Sequence, residues 1–297
     1  MIVLAPPAAV AAAPAAPFTL ETAFAAARAS ARTVSDPAST LASSESSTAD
    51  KLAAIDVLQS GIPTEPRARK VAAFDALAAA AGASGQPPEV RAKALTFLGY
   101  AMPQVQDDAA RGRGLAVLLA AIKLPAYRIF ALRGLGPACH ELPEIHDAEL
   151  QGALLDLLDG SISGEERETA LVALFSFVSS RDDLYKKAPA LVAALDDRML
   201  KPIEADPARF AADSRFTPGA RSLEIASVWM SARHRETLGA PASGLRVHAL
   251  LVRLAAVETD PTVLGWIRIY RDAAPARPAK ALRAKTTRRA PAGPEEP

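Results

Sequence analysis

The sequence predicts an all-α protein made of stacked helix pairs, and three observations support this fold class. Of the 297 residues, 50% are apolar and only 5% aromatic, and alanine and leucine, both strong helix formers, dominate the apolar set. Most of the 24 prolines fall between apolar runs or near the two ends, where they separate helices. A short pattern also returns every 37 to 42 residues. Together these predict a right-handed α–α superhelix, a solenoid of about six helix pairs.

Residues 1–18 are apolar and proline-rich, and no charged side chain precedes Glu21. Small-residue sites such as Ala11-Ala12-Ala13 resemble the cleavage region of a secretory signal peptide, although a basic n-region is missing. The segment is interpreted either as a signal peptide or as a disordered Ala/Pro tail. A signal peptide would imply export to the periplasm or the exterior, and a disordered tail would leave the protein in the cytoplasm; both locations stay open.

Residues 19–49 are predicted to hold a short helix and a linker. An amphipathic helix is expected over residues 20–34, and the stretch "SDPASTLASSESSTAD" after it lacks a core-forming pattern. Ser47, with Asp50 three residues later, predicts the start of the next helix, because a serine oxygen can accept hydrogen bonds from the first helical turn.

Residues 50–274 carry the repeat. Counted from a basic residue, the pattern has alanine three positions later and apolar residues four and seven positions later, all on one helix face. A second apolar run lies between consecutive patterns, so each repeat is predicted to be a helix pair that needs its neighbours to complete a core. Asp213 interrupts the fifth pattern. The repeat-defining basic residues are Lys51, Arg91, Arg128, Arg167, Arg209 and Arg246.

Two roles are open for these basic residues. They could form a basic stripe that grips an acidic partner, or they could tie neighbouring repeats together from buried or half-buried positions. We expect the structural role.

Three segments resemble the second helix of HEAT-type repeats, which often opens with Pro or Asp and a Val-Arg pair, followed by Ala and Leu. They are "PPEVRAKALTFLGYA", "LPAYRIFALRGLG" and "SGEERETALVALF". The resemblance spans roughly residues 50–272 and implies a HEAT-like solenoid, but it implies no particular activity. The Asp expected before Arg in many family members is mostly missing. Armadillo and TPR-like arrays stay open, although a period near 39 and the absence of a Trp-Leu-Gly-Tyr signature disfavour TPR.

Motifs for catalysis or metal binding are weak. The stretch "CHELPEIHDAE" begins at Cys139 and holds ligand-type residues, but its spacing matches no zinc signature, so we expect a connection between two helices. "GSISG" places Ile162 where a nucleophilic serine would stand, and "RGRGLAV" lacks the rest of a phosphate loop. We therefore assign no catalytic, cofactor-binding or metal-ligating residue, and we expect no cofactor.

Residues 201–222, "KPIEADPARFAADSRFTPGARS", form the least regular segment, with three prolines and mixed charge. Irregular loops on rigid scaffolds often carry function, so this segment is the first place to expect a partner surface. Degeneration of one repeat is the alternative. The candidate partner-binding residues, whose phenylalanines are expected to be exposed, are Phe210, Arg215, Phe216 and Arg221.

Residues 275–297 are predicted to form a disordered, proline-rich tail. Between Arg277 and Arg289 the tail holds six basic residues and no acidic residue, so it could contact nucleic acid or an anionic surface. It has no aromatic residue for base stacking. The rest of the chain has three more acidic than basic residues, which disfavours nucleic-acid binding by the body. No apolar run is long enough for a transmembrane segment.

The functional prediction is a non-catalytic helical-repeat scaffold that mediates protein–protein interaction with an unidentified protein partner. The alternative is a HEAT-like enzyme or accessory factor that acts on nucleic acid or on a small ligand. A basic, aromatic-bearing concave surface would favour this alternative.

Overall fold

A computed structural model describes residues 34–140, 142–180, 189–214, 216–237, 240 and 242–273, and every regular element within them is helical. The all-α prediction is confirmed. None of the helices in these ranges combines the length and apolar character needed to cross a bilayer. The helices are α1 Pro37–Ala42, α2 Thr48–Gly61, α3 Arg67–Gly82, α4 Pro88–Ala101, α5 Asp108–Ile122, α6 Arg128–Ala138, α7 Asp147–Asp159, α8 Gly164–Ser179, α9 Pro189–Leu195, α10 Lys201–Ala205, α11 Pro207–Ala212, α12 Pro218–Thr237, α13 Ala242–Val257 and α14 Pro261–Asp272.

Local sequence explains where several helices begin. The Ser47 hydroxyl accepts a hydrogen bond from the Asp50 N–H at 3.1 Å, so α2 starts where the sequence predicts. At α8, Ser163 and Glu166 form a complete capping box, each side chain accepting from the other's backbone N–H. Helix α4 opens on Pro88, whose missing N–H costs nothing in the first turn.

The helices form two layers. Helices α2, α4, α6, α8, α12 and α14 pack one on the next and make up the first layer. Helices α3, α5, α7 and α13 belong to the second layer, and each packs against the first-layer helix that follows it. The apolar core lies between the layers and includes fully buried Phe74, Leu95 and Phe177.

Within the first layer, α4 and α6 approach each other at two glycines. A Cβ atom on Gly99 would lie 1.8 Å from the carbonyl oxygen of Gly134, and one on Gly134 would lie 2.6 Å from the carbonyl oxygen of Leu95. The two backbones are therefore in direct contact, which only residues without side chains allow.

The segment predicted as a linker differs in the structure. Residues 37–42 form α1, with the Asp36 carboxylate accepting from the Ser39 N–H at 3.1 Å. Leu41 is buried, and its carbonyl accepts a hydrogen bond from the Gln86 side chain at 2.8 Å. A single buried leucine is too short a signal for a periodic pattern. The predicted N-terminal segments before residue 34 and the basic tail after residue 273 lie outside the described residues.

The regular succession is interrupted between α8 and α12. Helix α9 continues through a π-helical turn, Asp196–Leu200, into α10, and the short α11 follows. Ion pairs hold this π turn on both sides. Arg198 pairs with Asp156 at 3.0 Å and with Asp159 at 2.6 Å on α7, while Asp196 accepts two hydrogen bonds from Arg235 on α12. Such π turns often mark functional sites.

Candidate binding site

Three repeat-defining arginines donate a hydrogen bond to a backbone carbonyl at the end of the preceding helix. Arg91 Nε donates to the Ala81 carbonyl at 2.9 Å, and Arg128 Nε donates to the Ile122 carbonyl at 2.8 Å. Arg167 Nη2 donates to the Gly160 carbonyl at 3.4 Å. Carbonyls at helix ends have no partner within the helix, so these side chains satisfy them.

The same guanidinium groups contact the next unit. Arg91 lies over the Tyr127 ring at 4.3 Å, and Arg167 lies over the Phe216 ring at 4.6 Å. Arg128 instead pairs with Glu166 at 3.2 Å. Each arginine therefore joins two consecutive helix pairs through a carbonyl on one side and an aromatic ring or a carboxylate on the other.

The other repeat-defining residues are placed differently. Lys51 is buried and donates to the Gln86 side chain at 3.0 Å. Arg209 is exposed on α11. Arg246 lies on α13, in the second layer, and pairs with Glu204. The predicted register thus differs from the structure after Arg167.

Arg221 takes the position that the sequence pattern gave to Arg209. Its Nη1 donates to the Phe216 carbonyl at 3.2 Å, and its Nε and Nη2 donate to Glu258 at 3.1 and 3.3 Å. The reason for the shift is the length of the inserted chain. Residues 180–217, 38 in number, separate α8 from α12, whereas residues 102–127, 26 in number, separate α4 from α6.

The candidate partner-binding residues lie mostly inside the molecule. Phe210 and Arg221 are buried, Phe216 is half-buried, and Arg215 lies outside the described residues. The rings of Phe210 and Phe216 lie 5.6 Å apart at an angle of 58°. The expected exposed aromatic surface is therefore an aromatic pair that lines an internal space.

That space, called the cavity from here on, has a volume of about 440 Å³ and lies among α7, α8, the π turn, α10, α11 and α12. Volumes of this size are typical of small-ligand sites. Apolar and charged side chains both line the cavity. The apolar residues are Leu155, Leu158, Met199, Pro202, Ile203, Phe210 and Phe216, and the charged residues are Asp159, Arg167, Arg198, Asp206, Arg209, Asp213 and Glu224.

Glu224 is the unusual residue of the cavity. It follows Arg221 by three positions, where the repeat elsewhere has Ala94, Ala131 and Ala170, all fully buried. Burial raises the pKa of its carboxyl to about 7; Arg167 opposes this rise, and the nearby carboxylates of Asp213 and Asp159 add to it. Within the described ranges no side chain or backbone N–H donates a hydrogen bond to this carboxyl.

Sequence reasoning missed Glu224, although a signal was present. Counting the pattern from Arg221 instead of Arg209 gives apolar Ile225 and Val228 at the expected positions, and both are buried. The alanine position alone departs from the pattern, and it holds an acid. Glu224 is half-buried, and a half-buried position that breaks a repeat with an ionisable group is a candidate functional position.

A second feature, called the groove from here on, opens on the solvent side of the first layer. It has a volume of about 630 Å³ and crosses α4, α6 and α8. Tyr100 on α4 is 50% exposed and Val172 on α8 is 43% exposed, so both present apolar surface to solvent. Arg133 on α6 pairs with Glu165 on α8 at 2.9 Å. Gly136 lines the middle of the groove, and a Cβ there would meet nothing within 4 Å.

The segment "CHELPEIHDAE" connects α6 to α7. Cys139 is buried at the end of α6, and Asp147 begins α7. His146 Nδ1 lies 3.7 Å from the Glu149 carboxylate. Nowhere in the described part of the chain do three or more His, Cys, Asp or Glu side chains group as a metal site would require.

Comparison with protein-family models, with curated proteins and with solved structures finds no match to this chain. A function is inferred from the groove and the cavity.

Proposed function

We propose that the chain is a right-handed, HEAT-like solenoid that serves as a scaffold for a protein partner. The successive packing of the first-layer helices supports this, and so does the recurring bond from an arginine to the carbonyl that ends the preceding helix. Units that repeat a bond of this kind stack by nearest-neighbour contacts, and such stacks present extended binding surfaces.

The groove is the observation that carries the proposal. It runs across three consecutive helices and leaves Tyr100 and Val172 exposed at separate points along its length. Tyrosine and arginine are enriched at protein interfaces, where an aromatic body gives buried area and its polar end gives a hydrogen bond. Thr169 and Ser176 line the same surface and offer hydroxyl groups to the main chain of a bound segment.

The charges of the groove favour a polypeptide over nucleic acid. Arg133 is already paired with Glu165, and Glu168 accepts a hydrogen bond from the Thr217 hydroxyl at 2.7 Å. A phosphate backbone requires an excess of basic side chains, and this surface has none. The ligand that fits is a protein segment with apolar side chains spaced to reach the exposed Tyr100 and Val172.

Blocking the groove at Gly136 tests the proposal. Gly136→Trp places a large side chain in the open groove, and Gly152→Trp is the matched control, because Gly152 on α7 also has nothing within 4 Å of its Cβ position. Crosslinked affinity capture from the source cells, read by quantitative mass spectrometry, identifies the partner, and its binding is then remeasured with purified proteins. We expect Gly136→Trp to lose the partner and Gly152→Trp to keep it. Equal binding by both variants, or recovery of the chain without a stoichiometric partner, would contradict the scaffold function.

A further inference from the structure

We infer that the cavity beside Glu224 binds a small organic cation, an ammonium or guanidinium group attached to an apolar body. This site is separate from the groove, and its test does not depend on the scaffold function.

The shape and the wall of the cavity fit the apolar body of such a ligand. At about 440 Å³ the cavity can enclose a small aromatic or aliphatic molecule. Phe210 and Phe216 line the cavity as a tilted aromatic pair. Met199 of the π turn and Ile203 of α10 add further apolar side chains. A ligand with a ring or an alkyl chain therefore finds apolar contacts that water does not satisfy.

Two of the three basic side chains that line the cavity are already engaged by the protein, and the third, Arg209, is exposed on α11. Arg198 pairs with both Asp156 and Asp159, and Arg167 donates to the Gly160 carbonyl while its guanidinium lies over Phe216. An anionic ligand would have to break these contacts to use either group as its counter-charge. Arg167 and Arg198 therefore disfavour an anion.

The acidic side chains point to a cation. Three charged groups act on Glu224: Asp159 from α7, Arg167 from α8 and Asp213 from the residue after α11. The other charged residues of the cavity are Arg198, Asp206 and Arg209. Arg198 is neutralised by its two carboxylates, so the field at Glu224 is set by one guanidinium and by carboxylates. A bound cation would supply a counter-charge to the partly buried carboxylate.

Glu224 stands where the other repeats have alanine, and this replacement favours a ligand-binding role for the carboxyl over a structural role. Glu224 is half-buried. A partly buried glutamate costs stability unless it is paired, and no hydrogen bond to its carboxyl is found in the described residues. Burial raises the pKa of Glu224 to about 7, so the carboxyl changes charge in the neutral range. Ligand binding would then be coupled to release of the Glu224 proton.

Isothermal titration calorimetry on the full chain tests the inference with three probes of one shape: phenethylammonium, 2-phenylethanol and phenylacetate. We expect the cation to bind, the neutral alcohol to bind at least about tenfold more weakly and the anion not to bind. Between about pH 6 and about pH 8, the ionised fraction of a group with a pKa near 7 rises from roughly one-tenth to nine-tenths. The affinity for the cation should therefore rise about tenfold over this range.

Substitution of Glu224 distinguishes specific binding at the carboxyl from non-specific partition of the probe into an apolar space. Glu224→Gln keeps the shape and should lower the cation affinity about tenfold at pH 8 and abolish its pH dependence. Glu45→Gln, at an exposed position before α2, should change neither. Ala205→Trp, at an exposed position lining the cavity mouth, should block binding even if the Gln variant fails to fold. Equal affinity for the cation and the alcohol, wild-type affinity in Glu224→Gln or Ala205→Trp, or no cation binding by the folded wild-type chain would overturn the inference.

Discussion

Replacing Gly99 by alanine should destabilise the protein, although alanine is the better helix former. The position lies inside α4, where it touches the backbone of α6. On intrinsic helix propensity alone, the substitution would stabilise α4 by about 1 kcal/mol. The close contact between the two helices predicts the opposite sign.

The size of the effect follows from the distances at this contact. Real Cβ atoms essentially never come within 3.0 Å of a heavy atom to which they are not covalently linked. The new Cβ would lie 1.8 Å from the Gly134 oxygen, 2.3 Å from its carbonyl carbon and 2.5 Å from its Cα. These are backbone atoms and cannot rotate away, so α4 and α6 must separate by about 1 Å. Separation opens the packing of Leu95, Leu98 and Leu132, which are fully buried. Overpacking costs about 1–3 kcal/mol and occasionally more, so after the propensity gain we expect a net loss of about 1–2 kcal/mol.

Urea unfolding followed by far-UV circular dichroism measures this loss as a lower midpoint. Gly152→Ala inside α7 is the matched control, because a Cβ there meets nothing within 4 Å. That variant should gain about 0.5–1 kcal/mol from the lower entropy of the unfolded chain. The two identical substitutions should therefore move the midpoint in opposite directions. Equal shifts, or a stabilised Gly99→Ala, would refute the close approach of α4 and α6.

Two further predictions concern α12. Arg221→Met should lower the free energy of unfolding in urea by about 3 kcal/mol, because Glu258 is left buried without its guanidinium partner. Adding Glu258→Gln should restore most of the loss. A loss below about half a kcal/mol would contradict a stabilising ion pair between Arg221 and Glu258. Glu224 has its pKa raised from 4.5 to about 7, so the folded state retains a proton that the unfolded state has released. The wild type should lose up to about 3 kcal/mol as pH rises from about 4.5 through 7, and Glu224→Gln should not; parallel pH curves would contradict this.

Local chemistry made part of the fold predictable. Ser47 and Asp50 marked the start of α2 because a cap involves residues three positions apart. Arg91 and Arg128 could likewise be placed at helix starts from the alanine and apolar residues that follow them. Their partners could not be predicted, since Tyr127 and Glu166 belong to the next unit and are brought near only by stacking.

The inserted chain before α12 explains the parts that differ from prediction. An even repeat spacing predicts Arg209 as the fifth repeat-defining residue. The extra residues of the π turn, α10 and α11 instead place Arg221 at that point of the repeat. The cavity exists because of this insertion, so Glu224 could not be singled out while the register was set by Arg209. The groove was equally unpredictable, because it depends on the relative positions of three helices.

The contacts that lysine and arginine side chains make between helix pairs also bear on how the chain acquires its structure during synthesis. Lys93 reaches the Leu52 carbonyl across 41 residues of sequence, Arg128 reaches Glu166 across 38 and Arg221 reaches Glu258 across 37. Each contact can close soon after one more helix pair has left the ribosome, without waiting for the carboxyl terminus. Contacts of such short sequence separation favour rapid folding, and domains commonly fold from the amino terminus during translation. A nascent chain arrested after residue 180 should therefore already protect the amides of α4 from hydrogen exchange.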